Sequence, residues 1–224
     1  MSIFMKQSLV TLVITSCQRQ DLLQRTLFTF FQYNTYPILK TIVIEDSGVK
    51  GINDELKRIY PDILWIENSK RLGQIAAIDK AYSFVTTPYI FHCEDDWEFY
   101  RSGFIEASMN ILDNHPNIIN VWLRERNDMN GHPIESETNK FAWLAHNYKG
   151  IWHGFTFNPT LKRVLDYQIL GKYGAITKFN RQKPYESEAK IGNYYKSIGF
   201  KAVILNKGYC RHTGGGRQII GSNK

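Results

Sequence analysis

The sequence has few cysteines and no long apolar run, and these absences exclude several classes of protein. Cys17, Cys93 and Cys210 are an odd number, lie far apart and form no CxxC pair. A disulfide framework is therefore not expected, and a reducing compartment is. No apolar stretch approaches the roughly 18 to 20 residues that a membrane span needs. Residues 1–8 lack the apolar centre of a signal peptide, so we expect a cytoplasmic protein without a membrane span.

The motifs of zinc enzymes and P-loop enzymes are also missing. The six histidines form no close pair with zinc spacing and no HExxH. The triple glycine at 214–216 lacks the GK[ST] ending of a phosphate-binding P-loop. The net charge is +7, but no run of five or more basic residues occurs. The charge therefore favours phosphorylated ligands or solubility over a nucleic-acid-binding arm.

The sequence does contain a regular alternation of strands and helices in its first 123 residues. The predicted strands are 8–15, 41–44, 63–66, 88–93 and 118–123, and the predicted helices are 21–32, 53–60, 73–85 and 103–112. This order is typical of an α/β fold with a mostly parallel sheet and helices on both faces. In such sheets ligands bind at the carboxyl ends of the strands.

The second half of the chain has a weaker pattern. Residues 124–150 are polar and predict irregular structure, and residues 161–167 and 186–198 predict helices. Residues 200–205 predict a strand, and the glycine-rich segment 209–224 predicts a flexible loop. The length of 224 residues fits a single domain of ordinary composition.

Two acidic turns follow predicted strands of this sheet. Glu94, Asp95 and Asp96 come directly after the strand at 88–93, and Glu45 and Asp46 follow the strand at 41–44. Adjacent carboxylates repel one another, and Mg²⁺ or Mn²⁺ relieves that repulsion because these ions prefer oxygen ligands. The alternative is a pair of exposed acidic turns without an ion. Their shared position at strand ends favours a metal and ligand site.

Four segments in order resemble the inverting GT-A glycosyltransferases similar to glycosyltransferase family 2. They are residues 15–19 (TSCQR), 45–48 (EDSG), 73–81 (GQIAAIDKA) and the acidic motif 94–96 (EDD). The resemblance implies a single-domain, Rossmann-like GT-A fold. Within it, residues 1–123 would form a half that binds the nucleotide sugar. Residues 124–224 would form an acceptor-side half that carries the catalytic base and a C-terminal loop.

The resemblance also implies roles on the donor side. The donor-binding residues that it implies are Thr15, Cys17, Arg19, Asp46, Arg71, Glu94 and Asp95. Asp46 would bind a uracil or thymine base, and Arg71 would contact the base or the diphosphate. Asp96 would hold Mn²⁺ or Mg²⁺ on the diphosphate. Cys17 stands where the family often has an aromatic residue, which weakens the expectation that a side chain stacks on the base here.

The resemblance places the catalytic base before the last helix. Glu188 is the preferred general base and Glu186 the alternative, because a carboxylate must accept the proton of the acceptor hydroxyl. The competing interpretation is two surface glutamates in the first turn of a helix, where the helix dipole favours acids.

Two further segments extend the predicted site. Trp152, His153 and Phe155 resemble the aromatic segment that borders the acceptor, and core packing is the alternative. His212 is a candidate metal ligand or diphosphate contact. Arg211 and Arg217 are candidate phosphate contacts, beside a glycine run that would let the loop close over the donor. A solvated basic tail is the alternative for these residues.

The sequence thus predicts a metal-dependent glycosyltransferase that uses a nucleotide-diphosphate sugar, with UDP favoured, and a glycan or glycoprotein acceptor. A sugar nucleotidyltransferase is disfavoured because residues 15–20 contain no glycine, and a nucleotide- or sugar-binding module with a vestigial site stays open. The chain also resembles glycosyltransferase domains that large DNA viruses of the chlorovirus type use on capsid proteins. That resemblance would imply action in the host cytoplasm. The short chain predicts a small or open acceptor site, or one that a partner completes.

Overall fold

Strands and helices alternate through the first half of the chain, as the apolar pattern predicts. The structure is a computed structural model, and it describes residues 8–178 and 185–217. The first elements are β1 (Val10–Ser16), α1 (Gln20–Tyr33), β2 (Ile38–Glu45), α2 (Asp54–Ile59), β3 (Leu64–Glu67), α3 (Gln74–Tyr82), β4 (Tyr89–Glu94), β5 (Trp97–Phe99), α4 (Phe104–Asn114) and β6 (Ile118–Trp122). The later elements are β7 (Ile134–Glu137), β8 (Phe141–Leu144), β9 (Thr160–Arg163), α5 (Val164–Ile169), α6 (Tyr173–Ile176), α7 (Tyr185–Ser197), β10 (Lys201–Leu205) and β11 (Cys210–His212).

The central sheet has five strands in the order β3-β2-β1-β4-β9. The first four are parallel, and β9 runs antiparallel to β4 at the edge. The carboxyl ends of β1, β2 and β4 therefore meet at one edge of the sheet, and the segments that follow these strands lie side by side. The prediction of a mostly parallel α/β sheet is confirmed.

Helices cover both faces of this sheet, because the strands bury apolar side chains on both sides. On one face, Leu12 and Phe91 pack in a cluster with Phe30 of α1 and Phe104 of α4. On the other face, Val13 packs in a second cluster with α3 and α7. Full burial of one large apolar side chain stabilises the fold by about 1.5–3 kcal/mol. These two clusters are therefore the main source of stability, and they fix the sheet edge that carries the acidic residues.

A second sheet, in the order β6-β10-β8-β7, continues the first. Strands β6 and β10 are parallel, and β8 and β7 add to β10 as antiparallel strands. Thr160 of β9 joins the two sheets: its hydroxyl accepts from Val121 N at 3.3 Å and donates to Val121 O at 3.1 Å. Side chains of β10 enter both apolar clusters, so the described residues form one α/β domain.

Three predictions for the second half were wrong in part. Residues 160–163 form β9, and a helix begins only at Val164, because pairing with β4 keeps this segment extended. Residues 124–150 contain the hairpin of β7 and β8, and its apolar side chains are buried against β10. The predicted loop 209–224 contains β11, which pairs with β5, and residues 218–224 lie outside the described residues. Over the described ranges, no helix has both the length and the apolarity to cross a membrane.

Candidate functional site

A cleft of about 780 Å³ opens at the carboxyl ends of β1, β2 and β4. The structure brings most of the predicted site residues to its lining. These are Thr15, Cys17, Arg19, Asp46, Arg71, Glu94, Asp96, His153, Phe155, Glu188 and His212. Five predicted residues are not in the lining, namely Asp95, Trp152, Glu186, Arg211 and Arg217. The cleft therefore joins groups from both halves of the chain.

Asp95 lies beneath the cleft and pairs with Arg19. Its buried carboxylate accepts hydrogen bonds from Cys17 N at 3.3 Å and Arg19 Nε at 3.2 Å, and it forms an ion pair with the same guanidinium. Burial, which the Arg19 charge opposes, raises the pKa of Asp95 to about 6. Asp95 therefore positions Arg19 and the turn after β1, and its predicted role in donor binding stays a prediction.

Asp96 faces the cleft beside two basic groups. Its Oδ2 accepts from Arg19 Nη1 at 2.7 Å and lies 3.1 Å from His212 Nε2. Burial opposes ionisation, but the hydrogen bond to His212 and the charge of Arg19 together hold the pKa of Asp96 below its usual value. The cation that relieves the repulsion in the acidic motif is therefore Arg19 in this structure.

The oxygen and nitrogen atoms around Asp96 are of the kind that binds a divalent ion. Asp96 Oδ1 is buried and has no hydrogen-bond partner among the described residues. His212 Nε2, which lies 3.1 Å from Asp96 Oδ2, is a second atom that can bind a metal ion. No group of three or more His, Cys, Asp or Glu side chains within residues 8–178 and 185–217 is arranged to hold a metal by itself. Mg²⁺ sites in phosphate-binding enzymes commonly use one or two protein ligands and complete their shell with phosphate oxygens and water.

The short strand β11 brings His212 to this position. It pairs with β5 so that His212 lies opposite Trp97, and Thr213 N then donates to Asp96 O at 2.8 Å. Gly214 follows in close contact with the carboxylate. A Cβ atom added at Gly214 would lie 2.9 Å from Asp96 Cγ, which real Cβ atoms do not tolerate. Glycine is therefore required here by the close approach of the chain to Asp96.

Asp46 holds the loop that leads into α3. Its Oδ1 accepts from Asn68 Nδ2 and Leu72 N, both at 2.8 Å, and its Oδ2 accepts from Gly73 N at 2.7 Å. Gly73 adopts a φ of +90° at the start of the helix, a conformation that glycine accepts without strain. Asp46 thereby fixes the segment that carries Arg71 into the cleft. Recognition of a nucleotide base by Asp46 stays a prediction.

Glu94, the first residue of the acidic motif, is a further carboxyl group of the cleft lining. Its Oε1 accepts from Gln74 Nε2 at 2.9 Å. Burial, together with the nearby charges of Asp96 and Glu188, raises the pKa of Glu94 to about 8. A carboxyl group with this pKa is largely neutral at pH 7, and a cation bound nearby would favour its ionised form.

Glu188 lies on the opposite side of the cleft, in the first turn of α7. Its Oε1 accepts from Phe157 N at 2.6 Å and from Thr156 Oγ1 at 3.0 Å. Burial raises the pKa of Glu188, although these two hydrogen bonds oppose the shift. A carboxylate in this position is held in one orientation and has an elevated proton affinity, as a general base requires. Glu186 lies in the same turn but not in the lining.

The aromatic segment before Glu188 is divided between core and cleft. Trp152 is 1% exposed and packs against Gly154, where an added Cβ would collide with its ring. His153 and Phe155 belong to the lining. Trp152 therefore packs in the core, which is the alternative interpretation of this segment, and it does not border the cleft.

The two tail arginines are bound to acidic side chains and are not part of the cleft lining. Arg211 pairs with Glu98, with 2.5 Å between Nε and Oε2. Arg217 forms two hydrogen bonds with Asp21, at 2.6 and 3.0 Å. Both arginines therefore anchor the tail to α1 and β5, and their contact with phosphate stays a prediction.

Several lining residues were missed by sequence reasoning. They are Ser16, Gln74, Ala77, Trp122, Arg124, Asp128, Met129, Asn130, His132, Tyr148, Thr156, Asn158 and Ala189. The rings of Trp122 and Tyr148 each lie 5.7 Å from His132, between ring centroids, and His153 lies 6.1 Å from it. The sequence feature that could have identified these residues is the concentration of His and aromatic residues in and around residues 124–150, a segment that has no helical or strand periodicity.

Comparisons with known proteins agree with this geometry. A family model described as Glycosyl transferase family 2 matches residues 11–184. The mannosyltransferase PcManGT from Pyrobaculum calidifontis, solved in complex with GDP-Man and Mn²⁺, is similar with a TM-score of 0.68 and 14% identity, over 95% of this chain and 59% of that chain. TarS from S. aureus is similar with a TM-score of 0.64 and 10% identity, over 91% of this chain and 36% of that chain.

A second TarS structure, of residues 1–349, gives a TM-score of 0.62 at 11% identity, over 92% of this chain and 60% of that chain. This chain thus spans about three fifths or less of the solved proteins it resembles, and the likeness shows a shared fold. No curated protein sequence matches the chain. Because the family model covers most of the sequence, the chain belongs to glycosyl transferase family 2 and has its GT-A fold.

Proposed function

We propose that the chain is a metal-dependent inverting glycosyltransferase that moves a sugar from a nucleoside-diphosphate sugar to a hydroxyl of a glycan or glycoprotein. One observation carries this proposal. A single cleft joins Asp96, His212 and Arg71, which suit a metal-bound diphosphate, to Glu188, a carboxylate that suits a general base. Family membership supports the reaction class, and the geometry supports the assignment of roles.

On the donor side, Asp96 and His212 would hold Mn²⁺ or Mg²⁺ together with the diphosphate. The ion would supply positive charge where negative charge develops on the leaving diphosphate. Arg71 lines the same part of the cleft and adds a cation for the phosphates. Arg19 bridges Asp95 and Asp96 and so keeps both carboxylates oriented.

On the acceptor side, Glu188 would remove the proton from the attacking hydroxyl. The acceptor oxygen forms a bond to the anomeric carbon while the bond from that carbon to the diphosphate oxygen breaks. The proton passes to Glu188, and the nucleoside diphosphate leaves with the electron pair. Attack from the side opposite the leaving group inverts the anomeric configuration.

The acceptor would lie against the cluster of His132, Tyr148 and His153. His132 Nδ1 lies 3.0 Å from Pro133 O, so Nδ1 carries the hydrogen and Nε2 is left as an acceptor. That Nε2 is buried and has no hydrogen-bond partner among the described residues, and the His132 residue belongs to the cleft lining. A sugar hydroxyl would supply the missing donor, and the aromatic rings would pack against the apolar face of the sugar.

The donor nucleotide is proposed to be UDP, on the resemblance of the turn at Asp46 to uracil-binding members of the family. GDP is the rival, because PcManGT was solved with GDP-Man and Mn²⁺. The test is calorimetric titration of UDP, GDP and dTDP into the protein with and without Mn²⁺. Tight binding of one nucleotide that depends on Mn²⁺ would identify the donor class, and its sugars would then be tested for hydrolysis and transfer.

A nucleotide- or sugar-binding module is the second candidate. It is favoured by one observation, namely that Arg19 already neutralises Asp95 and Asp96 in the structure. Nucleotide binding that does not depend on metal, with no turnover of any donor sugar, would support this candidate. An anomeric configuration retained in the product would contradict the inverting mechanism.

A further inference from the structure

A lysine lies in the core beneath the acceptor side of the cleft. Lys162 of β9 is 2% exposed, and its Nζ donates to Thr156 O at 2.8 Å. The same Nζ lies 4.4 Å from the centre of the Phe155 ring. Burial of an ammonium group costs free energy unless it is bound by polar partners. A lysine at this position therefore indicates a function that an apolar residue would not provide.

The backbone that Lys162 holds is the same backbone that holds Glu188. Thr156 O accepts from Lys162, while Thr156 Oγ1 and Phe157 N donate to Glu188 Oε1 at 3.0 and 2.6 Å. Asn158 N also donates to Thr156 Oγ1 at 3.1 Å, which fixes the hydroxyl. Three consecutive hydrogen-bonding groups of one short segment thus connect the lysine to the carboxylate.

We propose that Lys162 is a positioning residue for Glu188, which acts by fixing the segment 155–157 whose amide and hydroxyl orient the carboxylate. The proposal rests on the proposed role of Glu188 as general base. Lys162 lies on an antiparallel edge strand, opposite Ile90 of β4, so the rigid central sheet carries it. The carboxylate is then held by the sheet as well as by the first turn of α7.

Charge acts in the same direction as geometry. Lys162 and Arg124 face Glu188 and favour its ionised form, whereas Glu94 is the neighbouring acid. Asp166 and Glu188 are the acids that face Lys162, and the buried His92 lies near it. Removal of Lys162 therefore takes away both a fixed hydrogen bond and a positive charge, and both losses raise the proton affinity of Glu188.

The test uses the amide of Phe157 as a reporter, because its hydrogen bond to Glu188 makes its NMR shift sensitive to ionisation of the carboxylate. The wild-type chain, Lys162→Met and the matched control Lys201→Met are titrated with acid, and Glu188→Gln identifies the signal. Lys201 also lies near an aromatic ring, with Nζ 5.4 Å from the Trp143 centroid, but it is not in the cleft lining. We expect Lys162→Met to raise the midpoint by about one pH unit and Lys201→Met to leave it unchanged.

A midpoint that Lys162→Met does not shift would overturn the proposal, and so would an equal shift in Lys201→Met. If Lys162→Met does not fold, Lys162→Gln takes its place, since it keeps an N–H donor but carries no charge. An unchanged midpoint in that variant, with an unchanged Phe157 amide shift, would also overturn the proposal.

Turnover supplies a second readout. With the donor sugar that the hydrolysis and transfer tests identify, we expect Lys162→Met to lower kcat about 10-fold at neutral pH and to leave the nucleotide Kd unchanged. Thr156→Val should lower kcat by a similar factor, whereas Thr156→Ser, which keeps the hydroxyl, should have a kcat close to that of the wild type. The double variant Lys162→Met/Thr156→Val should lose less kcat than the product of the two single losses. Multiplicative losses would contradict the shared path.

The two proposals fail in different ways. A wild-type chain that turns over no donor, but whose Phe157 titration shifts in Lys162→Met, would refute the proposed function and keep the positioning contact. Normal turnover of the wild-type chain, with a Phe157 titration that Lys162→Met leaves unchanged, would keep the proposed function and refute the positioning role of Lys162.

Discussion

The two sides of the cleft are built in different ways. On the donor side, Asp46, Asp95 and Asp96 each lie directly after a strand, and each is bound by several short polar contacts to neighbouring turns. On the acceptor side, Glu188 and His132 come from distant segments and are held by buried aromatic and backbone groups. The donor side is thus a dense ionic network, whereas Glu188 on the acceptor side is held by an uncharged backbone amide and a hydroxyl group.

The two sides also differ in how their charged side chains are neutralised. Arg19 neutralises the acids of the donor side within hydrogen-bond distance. The acceptor side has the buried Lys162 and the partly buried Glu188 without a direct ion pair between them. The ionisation of these two groups should therefore respond to burial, and that response gives the largest expected effect.

Burial of Lys162 should make stability depend on pH. Burial lowers its pKa to about 7 from 10.5, so between these values the unfolded chain binds more protons than the folded chain. The free energy of unfolding should rise with pH across this window, by at most about 5 kcal/mol relative to Lys162→Met. Urea unfolding of both proteins at several pH values checks this. A constant difference would show that Lys162 is not titrating within the core.

Glu188→Gln should abolish most turnover while donor binding survives. A general base contributes about 10²- to 10⁴-fold, so kcat should fall about 10³-fold. Glu186→Gln is the matched control in the same helical turn, and kinetic assays on both variants compare the two candidates. If Glu186→Gln shows the larger loss, the roles of the two acids are exchanged.

Asp96→Asn should weaken nucleotide binding on the donor side of the cleft. It keeps the shape of the side chain but removes a metal ligand, so we expect Mn²⁺-dependent nucleotide binding to weaken about 50-fold. Glu98→Gln is the control, since Glu98 pairs with Arg25 and Arg211 away from the cleft. Calorimetry with and without Mn²⁺ measures both variants. Full metal dependence in Asp96→Asn would remove Asp96 from the metal site.

Gly214→Ala should weaken the same binding about 10-fold, because the new methyl group must displace Asp96 or the chain at a cost of about 1–3 kcal/mol. Gly215→Ala adds the same methyl group where nothing lies within 4 Å. Calorimetry should therefore separate two adjacent substitutions of identical chemistry. Equal affinities would mean that the tail does not approach Asp96 in solution.

His132→Phe should have the smallest effect and should act on the acceptor alone. It keeps a ring among Trp122, Tyr148 and His153 but removes Nε2, so the acceptor KM should rise about 3- to 10-fold. Donor hydrolysis in the absence of acceptor should stay unchanged. A change in donor hydrolysis, or an unchanged acceptor KM, would place the acceptor elsewhere in the cleft.

The donor side and its sheet could be predicted from the sequence because local signals specify them. Strands β1, β2 and β4 are apolar runs, and acidic turns follow β2 and β4 at once, so a parallel sheet brings the two turns together. The contacts of Asp46 could not be foreseen. They depend on the positive φ of Gly73 and on how the loop 68–73 folds back.

The acceptor side could be predicted only in outline. Glu188 was identified through resemblance, whereas Lys162 was assigned to a helix and His132 to irregular structure. Leu161 and Val164 have helical spacing, but pairing with β4 outweighs this local preference. His132 and Tyr148 meet only because the hairpin of β7 and β8 packs beside β6 through β10, and no local pattern encodes that packing.

Arg19 and His212 both contact the carboxylate of Asp96, and this has a consequence for the order of folding steps. The partners of Asp96 lie 77 residues before it and 116 residues after it. During synthesis the first four parallel strands can pair, and Arg19 can bind Asp96, long before residue 212 leaves the ribosome. Such distant contacts form late in folding. The nascent chain should therefore acquire its folded sheet first, and the contact between Asp96 and His212 that is proposed to bind metal only afterwards.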